Sequence, residues 1–369
     1  MMRPLEESSL AKRWHELEAR LPGDVRGRMI AKALVLHLPA NVPPWTDIGL
    51  RVVKGDEVTI LAEGHVIVSA ELGLTGRPRY ALWSRVGGRG PIWTGTRDTQ
   101  SFRCDRDGPL ELAIYNGEWK SPDGVLATPV EAYAGLTGGI DVLVLHWRGE
   151  AQVGLAAIQR AAPGEPLVEA ELARIANPAV RPAGWSYLWF LGQSETFRTL
   201  RPRDGRPCIA CTTDDDVAIL RRTVSLPLGP DTELTWRWRV SALPSSQSED
   251  TLLCHDYLSV AVEFDNGRDL SFFWSASLPT ETHFACPIPQ WNPRETHLVV
   301  RSGPEGLGLW QHERRNVFSD CARSMGEPPG RIVAVWLIAV SLFQHGHGEA
   351  EFVDIALTSA GQRVELVGK

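Results

Sequence analysis

Apolar residues recur at two spacings along the chain, and the change between them divides it. Over residues 8–21, Leu10, Trp14, Leu17 and Leu21 share one helical stripe behind Ser8 and Ser9, so the spacing predicts a capped lead-in helix. From Ala33 the period becomes that of strands: Ala33–Leu38, Gly49–Val53, Glu57–Ala62, His65–Ala70, Arg79–Val86, Leu110–Tyr115 and Asp141–Trp147. Pro43-Pro44 and Lys54-Gly55-Asp56 separate the earlier runs. Residues 161–183 then break the pattern with Pro163-Gly164, Asn177-Pro178 and Arg181-Pro182 around one helical run, Val168–Ala176, and read as a linker. Strand patterning resumes at Glu195–Leu200, Pro207–Thr212, Ala218–Leu226, Leu234–Val240, Tyr257–Phe264, Ser271–Ser275, Thr296–Ser302, Ile332–Phe343 and Glu351–Ala356. Asp204-Gly205 and Asn266-Gly267 are hairpin signals between pairs of these runs. The pattern predicts an all-β chain of two β-sandwich, jelly-roll-like domains. Its expected parts are a helical lead-in over 1–32, a sandwich over 33–160, the linker over 161–183 and a larger sandwich over 184–369.

Composition narrows the partners. With 43% hydrophobic and 22% charged residues the chain has the material for two cores, and a disordered or fibrous chain is excluded. A net charge of -7 and no basic cluster argue against nucleic acid, which needs a positive footprint. No apolar run follows a basic start and none approaches the length of a membrane span, so a cytoplasmic protein without a membrane span is expected. Its six cysteines are then reduced thiols, and Cys208 and Cys211, three apart in a strand, face opposite sides of the sheet as packed groups.

Two resemblances follow from particular residues. Leu38-Pro39-Ala40-Asn41, Trp45 through Gly64 and Leu112-Ala113-Ile114-Tyr115-Asn116 resemble the PA-IL-like galactose-binding lectins over about residues 33–150. That likeness implies a lectin-like sandwich. Those lectins hold sugar through calcium, but Gly117 stands where the resemblance implies an acid, and Glu118, Ser121 and Asp123 supply few oxygens for a six- to eight-ligand ion. Residues 185–357 resemble the bacterial family called domain of unknown function 3047. The carrying residues are Leu234 through Val240, His255-Asp256-Tyr257, Phe264-Asp265, Arg301-Ser302-Gly303, Trp310 with Glu313 through Val317, Asp320 and Asp354-Ile355. This second likeness implies a jelly roll and transfers no activity.

Candidate chemistry concentrates in the second half. Asp256 beside His255, and Glu313 beside Arg314, Arg315 and Asn316, are the candidate acid–base groups. Trp236/Trp238 and Phe272/Trp274 each share a strand face, and with Trp310, Arg315 and Asn316 they form the expected ligand-binding set. His345-Gly346-His347, extended, would turn two imidazoles to one side, with His255 and His283 available to complete a divalent metal site such as zinc. Nucleophile-elbow, phosphate-loop, dinucleotide and His-Glu-x-x-His patterns are all missing. The sequence therefore points to an enzyme without an organic cofactor, working on a mostly apolar small molecule of terpenoid, steroid or aromatic type. Lyase, isomerase, cyclase and hydrolase chemistry all fit. The alternatives are a carbohydrate-binding, lectin-like protein and a His-ligated metalloenzyme, with calcium or zinc as the implied ion.

Overall fold

The computed structural model describes residues 8–71, 73–94, 97–203 and 206–367; the Asp204-Gly205 signal lies outside them. The chain is all-β and divides into two compact units, Met1–Pro178 with Gly192–Ser194 and Ala179–Leu191 with Glu195–Lys369. No helix among the described residues is long and apolar enough to cross a membrane.

In the first unit, one sheet runs in the order Ile30–Pro39, Thr137–Trp147, Glu57–Ser69, Leu74–Gly76, with Thr99–Arg103 also paired to Glu57–Ser69. A second sheet orders Trp45–Val52, Gly108–Ile114, Leu82–Val86 and Trp93–Thr94. Alternation sends Val58, Ile60, Val142 and Val144 into the space between the sheets and Leu61, Leu143 and Leu145 to the opposite face. That opposite face is covered by helices Ser9–Arg20, Ala151–Ala161 and Pro166–Ala176, whose Leu10, Trp14, Leu155, Ile158 and Val168 complete a second core. Ser8 caps the first of these as expected, accepting from the Ala11 N–H at 3.1 Å. The runs read as Glu57–Ala62 and His65–Ala70 are one strand. It bends at Gly64, where φ is +110° and an added Cβ would stand 2.5 Å from the Gly139 carbonyl oxygen.

The expected linker is corrected by this arrangement. Its helix, Pro166–Ala176, is held on the first unit by Glu171, which is fully buried: Oε2 accepts from the Thr99 hydroxyl at 2.7 Å, Oε1 from the Ser101 N–H at 2.5 Å, and Arg174 bonds both oxygens. The proline and glycine signals mark the helix ends, not a free tether.

The second unit is a sandwich of a seven-stranded and a six-stranded sheet. The first orders Ser186–Tyr187, Val217–Pro227, Arg331–Val340, Tyr257–Phe264, Asp269–Ser275, Glu295–Ser302 and His283–Ala285. Asp269–Ser275 and Glu295–Ser302 run parallel, joined by a crossing segment over 276–294. The six-stranded sheet orders Phe197–Arg203, Arg206–Asp214, His347–Ser359, Glu233–Ala242 and Gln311–Asn316, with Gln362–Val367 on His347–Ser359. Between the sheets lies an aromatic core in which Trp236, Trp238, Phe272, Trp274 and Phe352 touch at ring separations of 5.7–6.2 Å. The outer face of the seven-stranded sheet is apolar too. Tyr257, Ala261, Phe273, Val299, Trp336 and Ile338 cluster there, covered by Leu188 and Phe190 from one segment and Leu278, Phe284 and Trp291 from 276–294. Burial on both faces is why its central strands read as nearly unbroken apolar runs.

Candidate metal centre

Beneath the 276–294 segment, four potential ligands converge: His255, Cys286, Glu295 and His297, all buried, with ligand atoms within 4.8 Å of one another. Glu295 and His297 alternate on one strand and so face the same side. His255 ends the short turn Leu252–Cys254 ahead of the Tyr257–Phe264 strand. Cys286 follows the edge strand His283–Ala285, and its N–H bonds the Glu295 carbonyl at 2.9 Å.

The surroundings prepare these groups as ligands. His255 Nδ1 lies 2.7 Å from the Glu249 carbonyl oxygen, so Nδ1 carries the proton and Nε2 is left as a lone-pair donor, 3.4 Å from Cys286 Sγ. Burial, reinforced by His297, pushes the His255 pKa down to about 3 and keeps the ring neutral. Tyr257 donates its hydroxyl proton to Glu295 Oε1 at 3.0 Å, while Glu295 Oε2 lies 3.6 Å from His297 Nε2. Burial works to raise the Glu295 pKa, but the neighbouring His297 outweighs it and holds the carboxylate below its ordinary range. Neither nitrogen of His297 makes a hydrogen bond, although the residue is fully buried. A buried imidazole with two unmatched nitrogens is costly, and a cation on one of them removes that cost. Two imidazoles, a thiol and a carboxylate suit zinc and its first-row neighbours, and four protein ligands complete a tetrahedron.

Of the residues singled out in the sequence, His255 alone joins this cluster. Asp256 is buried beside it, yet its carboxylate accepts the Phe343 and Gln344 N–H groups at 3.0 and 2.6 Å and so shapes a turn. Glu313 accepts from Trp238 Nε1 at 3.0 Å and pairs with Arg301. Trp236, Trp238, Phe272 and Trp274 are 0% exposed, which corrects their expected place on a ligand-binding face: they face the partner sheet. Arg315 is held by Asp320 and Glu281, and Asn316 caps helix Val317–Ser324 by accepting from the Ser319 N–H at 2.8 Å. Trp310 is exposed and lies 5.5 Å from both the Arg237 and Arg239 guanidinium groups. The His-x-His expectation is corrected as well. His345 sits in a turn with φ of +52° and the strand begins only at His347, so the two rings part: His345 bonds Asp215 and His347 bonds Asp214, each at 2.6 Å. His283 is exposed on the edge strand. In the first unit, Gly117 has φ of +99°, and an added Cβ would stand 1.8 Å from Thr128 Oγ1, so the loop holds no side chain at the lectin's acidic position.

Missed in the sequence were Cys286, Glu295 and His297. The available signal was Glu-x-His at 295–297, two ligand types on one strand face, with a cysteine a short loop upstream.

Fold and site together define a two-unit β-sandwich protein with a buried, mixed-ligand cluster in its second unit. Residues 183–356 match the profile of the family described as protein of unknown function DUF3047. No curated protein matches the chain. Over its first part, the chain is similar to the EclA N-terminal domain, a PllA-like lectin: identity is 17%, coverage 32% of this chain and 97% of that one, and the TM-score 0.26. The xyloglucanase domain of NopAA, a type three effector from Sinorhizobium fredii, solved in complex with cellobiose, is 10% identical, covering 48% and 94% at a TM-score of 0.29. A mutant of ENZbleach xylanase is also 10% identical, covering 52% and 88% at 0.26.

Proposed function

We propose that this chain is a metal-binding β-sandwich protein whose second unit holds one first-row divalent ion through His255, Cys286, Glu295 and His297. One observation carries the reading: four buried ligand atoms of three chemical types within 4.8 Å, one imidazole already fixed in the metal-binding tautomer. An acid–base enzyme acting on an apolar molecule has less support, because Asp256 and Glu313 serve neighbouring backbone and side chains and the aromatic pairs fill the core. Elemental analysis of the purified chain tests the proposal. About one ion per chain is expected, with affinity falling by at least roughly 100-fold in His297→Ala; a metal-free protein that takes up no zinc, cobalt or nickel overturns it.

Carbohydrate binding is the second reading, favoured by Trp310. This exposed ring lies beside Arg237 and Arg239, which pair with Asp354 and Glu351, so an aromatic surface is bordered by polar groups that suit sugar hydroxyls. Trp310→Ala should then weaken oligosaccharide binding by roughly tenfold or more. Equal binding by both proteins discards this surface.

A further inference from the structure

The attachment of the 276–294 segment carries an inference that rests on the metal-binding reading. This segment crosses from the end of Asp269–Ser275 to the start of the parallel strand Glu295–Ser302, adds His283–Ala285 to the sheet edge on the way, and packs Leu278, Phe284 and Trp291 against the outer face of the seven-stranded sheet. Its apolar residues are only partly buried there; Leu278, Phe284 and Trp291 remain in part accessible. Between Ala276 and Arg294, Cys286 is the one residue buried outright, at 0% exposure. The deepest anchor of the strap is thus a thiol, and it is set among two imidazoles and a carboxylate that belong to the sheet side. Three ligands come from the sheet and its entry turn, and the fourth comes from the strap.

We infer that the bound ion is zinc in a closed four-ligand site and that it acts as a clasp, fastening the strap over the apolar sheet face. A closed shell follows from the burial of all four ligands, since a catalytic zinc keeps a position open to water or substrate. The clasp role follows from the ligand division. With the ion present, Cys286 as thiolate is bonded through it to the Glu295–Ser302 strand and to the turn that enters Tyr257–Phe264. Without the ion that link is lost, and the strap is left with its partly exposed apolar contacts, the short edge ladder and the half-exposed ion pairs of Glu281 with Arg315 and Arg323. Glu249 supports both sides of the clasp. Its carbonyl orients His255, and its carboxylate accepts from the Ser275 hydroxyl and the Ala276 N–H at 2.5 and 2.6 Å, at the root of the strap.

Hydrogen exchange read by mass spectrometry on the full chain, as purified, after chelation and after zinc is restored, tests this directly. Zinc in the purified protein is expected, together with exchange over 277–292 that rises at least about tenfold on chelation, while Tyr257–Phe264 and Arg331–Val340 stay protected. Restored zinc should close the strap again. Cobalt substitution supplies a readout independent of the strap: a thiolate-to-cobalt absorption band in the native chain that disappears in Cys286→Ser. Failure of the chain to bind any metal overturns the metal-binding reading itself. Zinc that binds and leaves exchange over 277–292 unchanged overturns only the clasp, as does loss of protection across the whole sheet on chelation. Copper or iron as the native ion, or a cobalt spectrum without the thiolate band, overturns the assignment of a closed zinc site.

Discussion

A carboxylate is stable at zero exposure only where its oxygens are bonded, and Glu171 meets that condition with a hydroxyl, an N–H and a guanidinium. Burial alone would raise its pKa, but Arg174, Thr99 and Ser101 outweigh it and hold the group below its usual 4.5. The unfolded chain therefore takes up this proton first as pH falls. The stability Glu171 contributes is complete above about the unfolded value and is lost as pH drops through the lowered folded one. Urea unfolding of the first unit should show that loss, and Glu171→Gln should flatten it. Glu171→Ala, which removes the buried carboxylate that Arg174 pairs with, should reduce stability by roughly 3–5 kcal/mol. Glu313 gives a milder case: Glu313→Ala leaves Trp238 Nε1 and Arg301 without their shared acceptor, and the urea midpoint of the second unit should fall by the equivalent of roughly 1–3 kcal/mol. At this scale the sequence was partly legible. Period two correctly paired Trp236 with Trp238 and Phe272 with Trp274, but alternation says which residues share a face and not what that face meets. The neighbour was the opposite sheet.

Elements show why the centre itself was hidden. Glu295 and His297 are readable as a same-face pair, whereas Cys286 and His255 reach them through a crossing strap and an entry turn, whose course depends on a parallel pairing that no local pattern announces. His345 and His347 failed for the converse reason. Their spacing fits a strand, but the turn holding His345 breaks the alternation before His347. Loop conformation also decides the outcome of restoring an acid at the lectin-like position. Gly117→Asp should remove stability, by roughly 1–3 kcal/mol, without conferring calcium affinity, because the backbone there is left-handed and Thr128 occupies the space a side chain needs. Calcium titration beside thermal melting separates the two effects. For the 161–183 segment, brief digestion with a nonspecific protease should spare helix Pro166–Ala176 and cut first over 177–181, where the chain is exposed. Early cuts inside the helix would mean that Glu171 does not hold it.

Each unit of the molecule has its own core, so a ligand confined to the second should stabilise the second alone. With zinc at about 100 times its dissociation constant, that gain is roughly 2.7 kcal/mol. Peptide-resolved denaturation should show it in residues 195–367, and a chelator should erase it while the first unit unfolds at an unchanged midpoint. The parallel pairing of Asp269–Ser275 with Glu295–Ser302 adds a consequence in time. Antiparallel neighbours such as Tyr257–Phe264 and Asp269–Ser275 meet across a tight Asn266-Gly267 turn and close early, whereas the parallel pair must wait for the long crossing chain to find its path. His255 and the pair Glu295/His297 come together only at that late step, with Cys286 carried in on the crossing chain. Refolding should therefore run through a fast phase indifferent to zinc and a slow one accelerated by it, making the ion a participant in the last act of folding.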